Sequence, residues 1–359
     1  MRIQTNLVAT AVVAGFAALP MPAAAYVRTT TSTGVPTAWK TPCVTVEFSL
    51  GASPPELDAV GFLSAAQQAG AAWTQASLDG VEQCSNVILT VLSVPNVAGP
   101  VGLDYHNRLI FRQDGWCLDP SPTGSNQSLC YDPSALAITS VFQRKTSGEI
   151  LDADLEVNAT NFTWGDFVGH PELFESDTHD FQGAVTHEFG HVIGLDHACF
   201  SPGGTFADGS LVPRPADNNG NPVPDCSPDN PPSITQTTMY VSVATPSAEV
   251  ELRSLAPDDV QGACDIYPFT TNFVCLPPSG AGTDGGTAGG TTDGTTTTGT
   301  GTGEDAAWGA MGGTTTAASA TGASSGGCSC RISGGQTMSY PGLALIALFI
   351  AARRLQKRH

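Results

Sequence analysis

Positive charge is scarce in this chain. Its 359 residues include 14 Lys and Arg against 33 Asp and Glu, which gives a formal net charge of −19 at pH 7. A protein that binds nucleic acid needs clustered basic side chains to neutralise phosphates, so this balance excludes nucleic acid as a main partner. Cys-x-x-Cys pairs are also absent, although the chain has 10 cysteines. Their absence indicates that the cysteines form disulfide bridges and do not bind a metal.

The cysteines that are present predict export. Eight of them lie between Cys43 and Cys275, in the part of the chain with a globular composition. Such cysteines are typical of disulfide bonds formed in an oxidising compartment. Sequence alone does not determine their pairing. The simplest prediction is sequential pairing of Cys43 with Cys84, Cys117 with Cys130, Cys199 with Cys226, and Cys264 with Cys275.

The first 25 residues also indicate export. Arg2 precedes an apolar run over residues 7–19, and small residues follow as far as Ala25. This order predicts a secretory signal over residues 1–25 that is cleaved before Tyr26. The alternative is a short N-terminal membrane anchor. In both cases the rest of the chain leaves the cytoplasm.

A motif that begins at His187, HEFGHVIGLDH, contains the ligands of a hydrolytic zinc site. His187 and His191 are four residues apart, so on a helix their imidazoles lie one turn apart on the same face. Gly194 is able to adopt the left-handed conformation that ends a helix, which lets the chain return His197 as a third ligand. Three imidazoles leave the fourth position of a zinc ion for water. Glu188, beside the first ligand, is placed to act as the general base.

These eleven residues match the extended zinc signature of the metzincin metalloproteases, and their surroundings resemble the matrixins within that clan. Met239 resembles the methionine of the Met-turn, which lies beneath the zinc. Residues 256–267 resemble the final matrixin helix, and residues 107–111 and 148–154 resemble matrixin strands. The resemblance covers about residues 39–268. It implies one catalytic Zn²⁺ and the hydrolysis of peptide bonds.

The chain also departs from the matrixin pattern. Ala198 follows the third histidine, where matrixins usually have Ser, and Tyr240 leads into Val241 without the usual Pro-x-Tyr. That segment would form a wall of the pocket for the substrate residue after the cleaved bond, so substrate specificity does not carry over. Leu151 takes the place of a histidine that holds a second, structural zinc in some matrixins. We therefore expect one zinc. Tyr240 directly follows Met239, so we expect no tyrosine ligand to the zinc. Cys43 belongs to the first predicted strand, so we expect no cysteine switch, in which a cysteine of a pro-segment occupies the fourth zinc position.

Pattern and resemblance together predict an α+β, metzincin-like catalytic domain over residues 26–276. Its expected architecture is a mixed, mostly parallel, five-stranded twisted sheet with long helices, an active-site helix, a Met-turn and a C-terminal helix. Asp180 is expected to cap the active-site helix. An extended peptide is expected to pair with the strand at 135–142, at the edge of the sheet. The predicted strands are 44–49, 87–94, 108–112, 135–142 and one beginning near 151, and the predicted helices include 55–77 and 181–193.

Two groups of polar side chains are candidates for binding Ca²⁺. One is the acidic face of the strand near residue 151, for which the alternative is a solvated acidic edge. The other lies in an insertion over residues 200–233, for which the alternative is a disulfide-held loop, because the final Glu of an EF-hand is missing. The candidate ligands are Asp152, Asp154 and Glu156 in the strand, and Asp217, Asn219 and Asp225 in the insertion.

The C-terminal region has a different composition. Residues 277–327 are rich in Gly, Thr, Ser and Ala, which predicts a flexible linker. Residues 328–359 resemble the tripartite sorting tails known as MYXO-CTERM: a cysteine motif at Cys328 and Cys330, a short apolar run and a basic cluster. The resemblance implies processing at one of these cysteines and display at the cell surface. The apolar run is shorter than the about 20 residues of an ordinary membrane span, so a weak hydrophobic tail is the alternative.

The sequence therefore predicts a monomeric, exported zinc endopeptidase that acts on proteins or peptides. Its tail would hold it at a membrane, the cell surface or outer envelope, or it would be released to the extracellular space. The alternative is a cell-surface binding or adhesion protein that retains a metal site without turnover. Glu188 favours the enzyme, because a site that only binds metal does not need a general base.

Overall fold

The computed structural model describes residues 26–49, 59–95, 101–118, 129–165, 178–203, 211–243, 246–275 and 327–332. The predicted signal, almost all of the predicted linker and most of the C-terminal tail lie outside these residues. None of the helices within the described ranges is both long enough and apolar enough to cross a membrane.

The described residues form mostly strands, with a few helices between them. The strands are β1 (Val27–Arg28), β2 (Ala38–Trp39), β3 (Cys43–Ser49), β4 (Ile88–Val94), β5 (Asn107–Arg112), β6 (Cys117–Leu118), β7 (Leu129–Cys130), β8 (Ala135–Gln143), β9 (Glu149–Asn158), β10 (Thr163–Gly165), β11 (Thr178–Asp180), β12 (Leu195–Asp196), β13 (Ser242–Val243) and β14 (Gly327–Ile332). The helices are α1 (Ala59–Thr74), α2 (Phe181–Val192), α3 (Pro232–Thr235), α4 (Pro246–Glu251) and α5 (Pro257–Ile266).

The main sheet is mixed and mostly parallel, as the sequence predicts. Four strands pair in parallel in the order β4-β3-β5-β9, and β8 runs antiparallel to β9. These five strands are extended by three short ones: β2 pairs with β9, and β14 and then β13 continue the sheet beyond β8. Strand β8 is therefore bordered by β9 on one side and by β14 on the other. The predictions of a five-stranded sheet and of an edge position for the strand at 135–142 are wrong, because β14 and β13 add to the sheet beyond β8.

A cluster of phenylalanines positions helix α2, which carries His187 and His191, against the sheet. Phe62 of α1, Phe111 of β5 and Phe181 of α2 are all buried. Their ring centroids are 4.9 Å apart for Phe62 and Phe181, and 5.2 Å apart for Phe111 and Phe181. Contacts between buried aromatic rings stabilise the packing of two elements by more than the buried area of the rings alone would. The first turn of α2 is thereby tied to both α1 and the centre of the sheet.

The polar face of β9 is buried, so the predicted solvated acidic edge is wrong. Asp152, Asp154 and Glu156 have no exposed surface. Backbone N–H groups of Asp104 and Tyr105 donate to Asp152 Oδ2 at 2.8 and 2.6 Å. An alternating pattern shows which residues share a face of a strand, but it does not show whether a loop covers that face. Here the segment before β5 covers it.

Four disulfide bonds join described residues, and two of the predicted pairings are wrong. The Cys117–Cys130 and Cys199–Cys226 bonds are confirmed, whereas the other bonds are Cys43–Cys275 and Cys84–Cys264. Sequential pairing fails because the C-terminal segment returns beside the start of β4. Asn86 N donates to Tyr267 O at 2.8 Å, and Phe269 N donates to Cys84 O at 3.0 Å. The fold thus brings Cys275 next to Cys43 and Cys264 next to Cys84.

Candidate metal centre

Helix α2 carries the first two histidines, and its start is fixed by Asp180. The Asp180 side chain accepts a hydrogen bond from Gly183 N at 2.7 Å, which confirms the predicted N-cap. Arg253 also binds this carboxylate, with its Nε 2.9 Å from Oδ1. A buried carboxylate that caps a helix and pairs with a guanidinium holds the helix in one position along its axis.

The end of α2 is fixed by donors from distant parts of the chain. Carbonyls in the last turn of a helix have no partner within the helix. Trp39 Nε1 donates to Val192 O at 2.8 Å, and the Tyr267 hydroxyl donates to Ile193 O at 2.9 Å. Gly194 follows with a φ of +96°, so its predicted left-handed conformation is confirmed. The chain then reverses and brings His197 back to the helix.

The three histidines converge as the motif predicts. The Nε2 atom of His197 lies 3.3 Å from that of His187 and 3.2 Å from that of His191. On the other side of each helix imidazole, Nδ1 of His187 lies 2.6 Å from Thr238 O and Nδ1 of His191 lies 2.9 Å from Leu195 O. A carbonyl only accepts, so these Nδ1 atoms carry the protons and the Nε2 atoms present lone pairs.

This donor set fits a tetrahedral metal ion. Zinc binds imidazole nitrogen at about 2.0–2.1 Å, which places two ligands of a tetrahedral site about 3.3 Å apart. The measured separations of 3.2 and 3.3 Å agree with that value. Burial lowers the pKa of His187 to about 4 and that of His191 well below its ordinary value, so both rings are neutral at pH 7. The trio could hold a metal ion, and its geometry is compatible with zinc.

Glu188 lies between the two helix ligands in sequence and is fully buried. Its Oε2 atom accepts a hydrogen bond from Thr139 Oγ1 at 2.6 Å. Thr139 belongs to β8, so the strand beside the site orients this carboxylate. Sequence reasoning did not identify Thr139. The available signal was a pair of hydroxyl residues, Thr139 and Ser140, inside an otherwise apolar strand.

Met239 lies directly beneath α2. It is buried, and Gly190 faces it so closely that a Cβ on Gly190 would overlap the Met239 sulfur. The backbone of this turn also reaches the motif, because Ala198 N donates to Met239 O at 2.9 Å. The absence of a side chain at Gly190 is therefore what lets the helix approach the turn.

Asp259 supports the first histidine indirectly, and sequence reasoning did not single it out. Its Oδ2 accepts a hydrogen bond from Thr238 N at 2.7 Å, and Thr238 O contacts Nδ1 of His187. Burial and the neighbouring carboxyl of Asp258 raise the pKa of Asp259 above its ordinary value. Helix α5 thus reaches the candidate metal centre through Thr238.

The structure does not gather the candidate calcium ligands into one cluster of ligand atoms. Asp154 Oδ1 accepts a hydrogen bond from Arg108 N at 3.0 Å, and Glu156 Oε1 binds Arg112 Nε at 2.6 Å. In the insertion, Asp225 binds Arg214 at 2.5 Å. Asp217 Oδ1 accepts backbone N–H groups, including that of Asn219 at 2.9 Å.

These carboxylate oxygens contact backbone N–H and guanidinium groups, so the contacts give no support to calcium. Among the described residues, the histidine trio is the one group of three or more His, Cys, Asp or Glu side chains whose ligand atoms lie within 4.8 Å of one another. Calcium binding stays a prediction from the sequence.

The predicted sorting cysteines lie next to this site. Cys328 and Cys330 belong to β14, which pairs antiparallel with β8 and parallel with β13. Cys328 is opposite Thr139 in the register. The remainder of the predicted tail lies outside the described residues.

Neither the models of known protein families nor the curated proteins give a match to this chain. The interpretation of the site therefore depends on its own geometry.

Proposed function

We propose that the protein is an exported zinc endopeptidase of the matrixin kind. The observation that carries this proposal is the buried set of three converging Nε2 atoms, with the buried carboxylate of Glu188 on the same helix turn. Three protein ligands leave one position of a tetrahedral zinc open, which is the arrangement of catalytic rather than structural zinc sites. A carboxylate beside that position is what general-base hydrolysis requires.

Bound zinc supplies Lewis acidity toward a water molecule and toward the carbonyl of the scissile bond. Glu188 accepts a proton from the attacking water at its carboxylate and later delivers a proton to the leaving amine. Thr139 holds Oε2 of that carboxylate by its hydrogen bond, so the base keeps one orientation. On the side where it pairs with β14, strand β8 has backbone N–H and C=O groups that would hold an extended peptide beside the site in place of that strand. No side chain of the protein is required as a nucleophile.

The disulfide bonds of the domain support export. Four disulfide bonds join described residues and indicate a protein of an extracellular or secreted compartment. We propose that the mature protein is monomeric and is held at the cell surface through its C-terminal tail, with proteins or peptides as substrates. The acidic net charge of the chain agrees with an exported enzyme.

The test is cleavage of casein by the full chain after signal removal, with and without a chelator. Glu188→Gln should lower kcat by about 10²- to 10⁴-fold, because general-base catalysis contributes that much. Its matched control is Glu251→Gln, which changes an exposed glutamate. Bound zinc, measured by elemental analysis, should be the same in all three proteins.

Two results would contradict the proposal. Cleavage that survives the chelator or the Glu188→Gln substitution would remove zinc or the base from the mechanism. Full zinc occupancy without cleavage of casein would instead favour a surface binding or adhesion protein that keeps a metal site without turnover.

A further inference from the structure

The side of strand β8 that does not pair with β9 pairs with β14, which is a later segment of the same chain. Strand β14 runs antiparallel to β8, with Cys328 opposite Thr139 and Ser329 opposite Ile138. Thr139 is the residue that binds Glu188. The backbone of β14 therefore passes the position of the proposed general base.

The opposite side of β14 also has a partner. Arg331 pairs with Ser242, and Ile332 pairs with Val243, in parallel register. Strand β13 begins three residues after Met239, so it belongs to the turn beneath the histidines. The segment Gly327–Ile332 thus lies in a groove between β8 and β13, and β8 reaches the candidate metal centre through the contact of Thr139 with Glu188.

This groove is where the proposed function requires an extended peptide. Adding a strand to an exposed sheet edge is a common way to bind a peptide, and backbone hydrogen bonds supply most of its affinity. Two peptide segments cannot pair with the same edge of β8 at the same time. A chain segment in this place must therefore leave before another peptide enters.

We infer that Gly327–Ile332 is an intramolecular occupant of the peptide groove that competes with external peptides. Its covalent attachment makes the competition independent of protein concentration. The competitive role rests on the proposed function, whereas the occupancy itself does not. The groove then has two states: closed by the segment, or open to a substrate.

The experiment uses the full chain after signal removal and two double variants. Ser329→Pro with Cys330→Pro removes two consecutive backbone N–H groups. Because successive residues of a strand direct their N–H groups to opposite sides, one of the two losses falls on the β8 side. Ser329→Ala with Cys330→Ala is the matched control, since it removes the same side chains and keeps both N–H groups.

Hydrogen exchange of residues 135–143 reports occupancy without any need for activity. We expect amides of β8 to exchange at least about tenfold faster in the proline variant than in the alanine control. A synthetic peptide of residues 325–334 should restore their protection. Equal exchange in the two variants would overturn the occupancy, and protection that rises with protein concentration would assign the strand to a second copy of the chain.

Casein cleavage then tests the competition. The proline variant should have a lower KM than the alanine control, with similar kcat. If both variants cleave casein with the same KM, the competitive role is wrong even where exchange supports occupancy. If neither variant cleaves casein with zinc bound, the proposed function fails, while the exchange result still decides the occupancy.

Discussion

Thr139 Oγ1 donates a hydrogen bond to Glu188 Oε2 across 2.6 Å, and the two residues are 49 positions apart in the chain. The same hydroxyl lies 3.3 Å from the backbone carbonyl of Glu188. One side chain of strand β8 is therefore in contact with both the backbone and the carboxylate of the proposed base. This contact joins the strand expected to bind a peptide to the residue expected to act on it.

Removing this hydroxyl should slow the reaction and leave the fold intact. A hydrogen bond to a charged group contributes about 1.5–3 kcal/mol, so Thr139→Val should lower kcat about 10- to 100-fold. Thr139→Ser keeps the hydroxyl and should retain most of the activity. The measurements are casein cleavage over a range of pH, bound zinc and Tm. A Thr139→Val protein with normal kcat and pH profile would show that the contact does not position the base.

Zinc should stabilise the protein through the histidine trio. At a free zinc concentration of 100 times Kd, we expect the free energy of unfolding to rise by about 2.7 kcal/mol. His197→Gln should bind zinc more weakly and lose most of this gain. His106→Gln is the control, because His106 is exposed and its Nδ1 lies 3.1 Å from Glu47 Oε1. Equilibrium dialysis and thermal unfolding check both statements, and equal zinc affinity in the two variants would contradict them.

The close packing of Gly190 on Met239 predicts a large penalty for one added methyl group. A Cβ at Gly190 would overlap the Met239 sulfur and approach Trp73 within 2.9 Å. Overpacking of this kind usually costs about 1–3 kcal/mol, so Gly190→Ala should lower the free energy of unfolding by that amount. Gly102→Ala is the control, since a Cβ there meets no atom within 4 Å. Urea unfolding compares the two, and similar losses in both would refute the packing argument.

The buried acidic face of β9 predicts a pH dependence of stability. Burial and the charge of Asp152 raise the pKa of Asp154 to about 8, above the about 3.9 of an unfolded Asp. Between these pH values the folded state holds a proton that the unfolded state has released. The contribution of Asp154 to stability therefore falls as pH rises from about 4 to about 8.

Asp154→Asn removes this titration. The free energy of unfolding of the natural protein should decline more steeply over that range than that of the variant. Unfolding by urea at pH 5, 6.5 and 8 measures both slopes. Parallel slopes would mean that Asp154 is ionised throughout in the folded protein.

The parts of the site that the sequence predicted are those set by local spacing. Two histidines four residues apart on a helix share a face whatever the rest of the fold does, and Asp180 and Gly194 act on the backbone next to them. The strands that build the parallel sheet were recognisable for the same reason, because their apolar residues alternate.

The parts that escaped prediction depend on distant segments. Thr139 reaches Glu188 only after β8 lies beside α2, and Asp259 reaches Thr238 only after α5 packs behind the turn at Met239. The same holds for Cys84, whose partner Cys264 is 180 residues away. Neither local periodicity nor residue type contains this information.

The Cys43–Cys275 bond closes the domain into a covalent ring with a sequence separation of 232 residues. A single peptide-bond break anywhere between these cysteines opens the backbone but leaves one connected molecule. Residues 211–233, the larger part of the insertion that the structure describes, are mostly exposed and loop-rich, so such breaks are expected there. A nicked protein would therefore keep its three histidines, Glu188 and its sheet together in one covalent molecule.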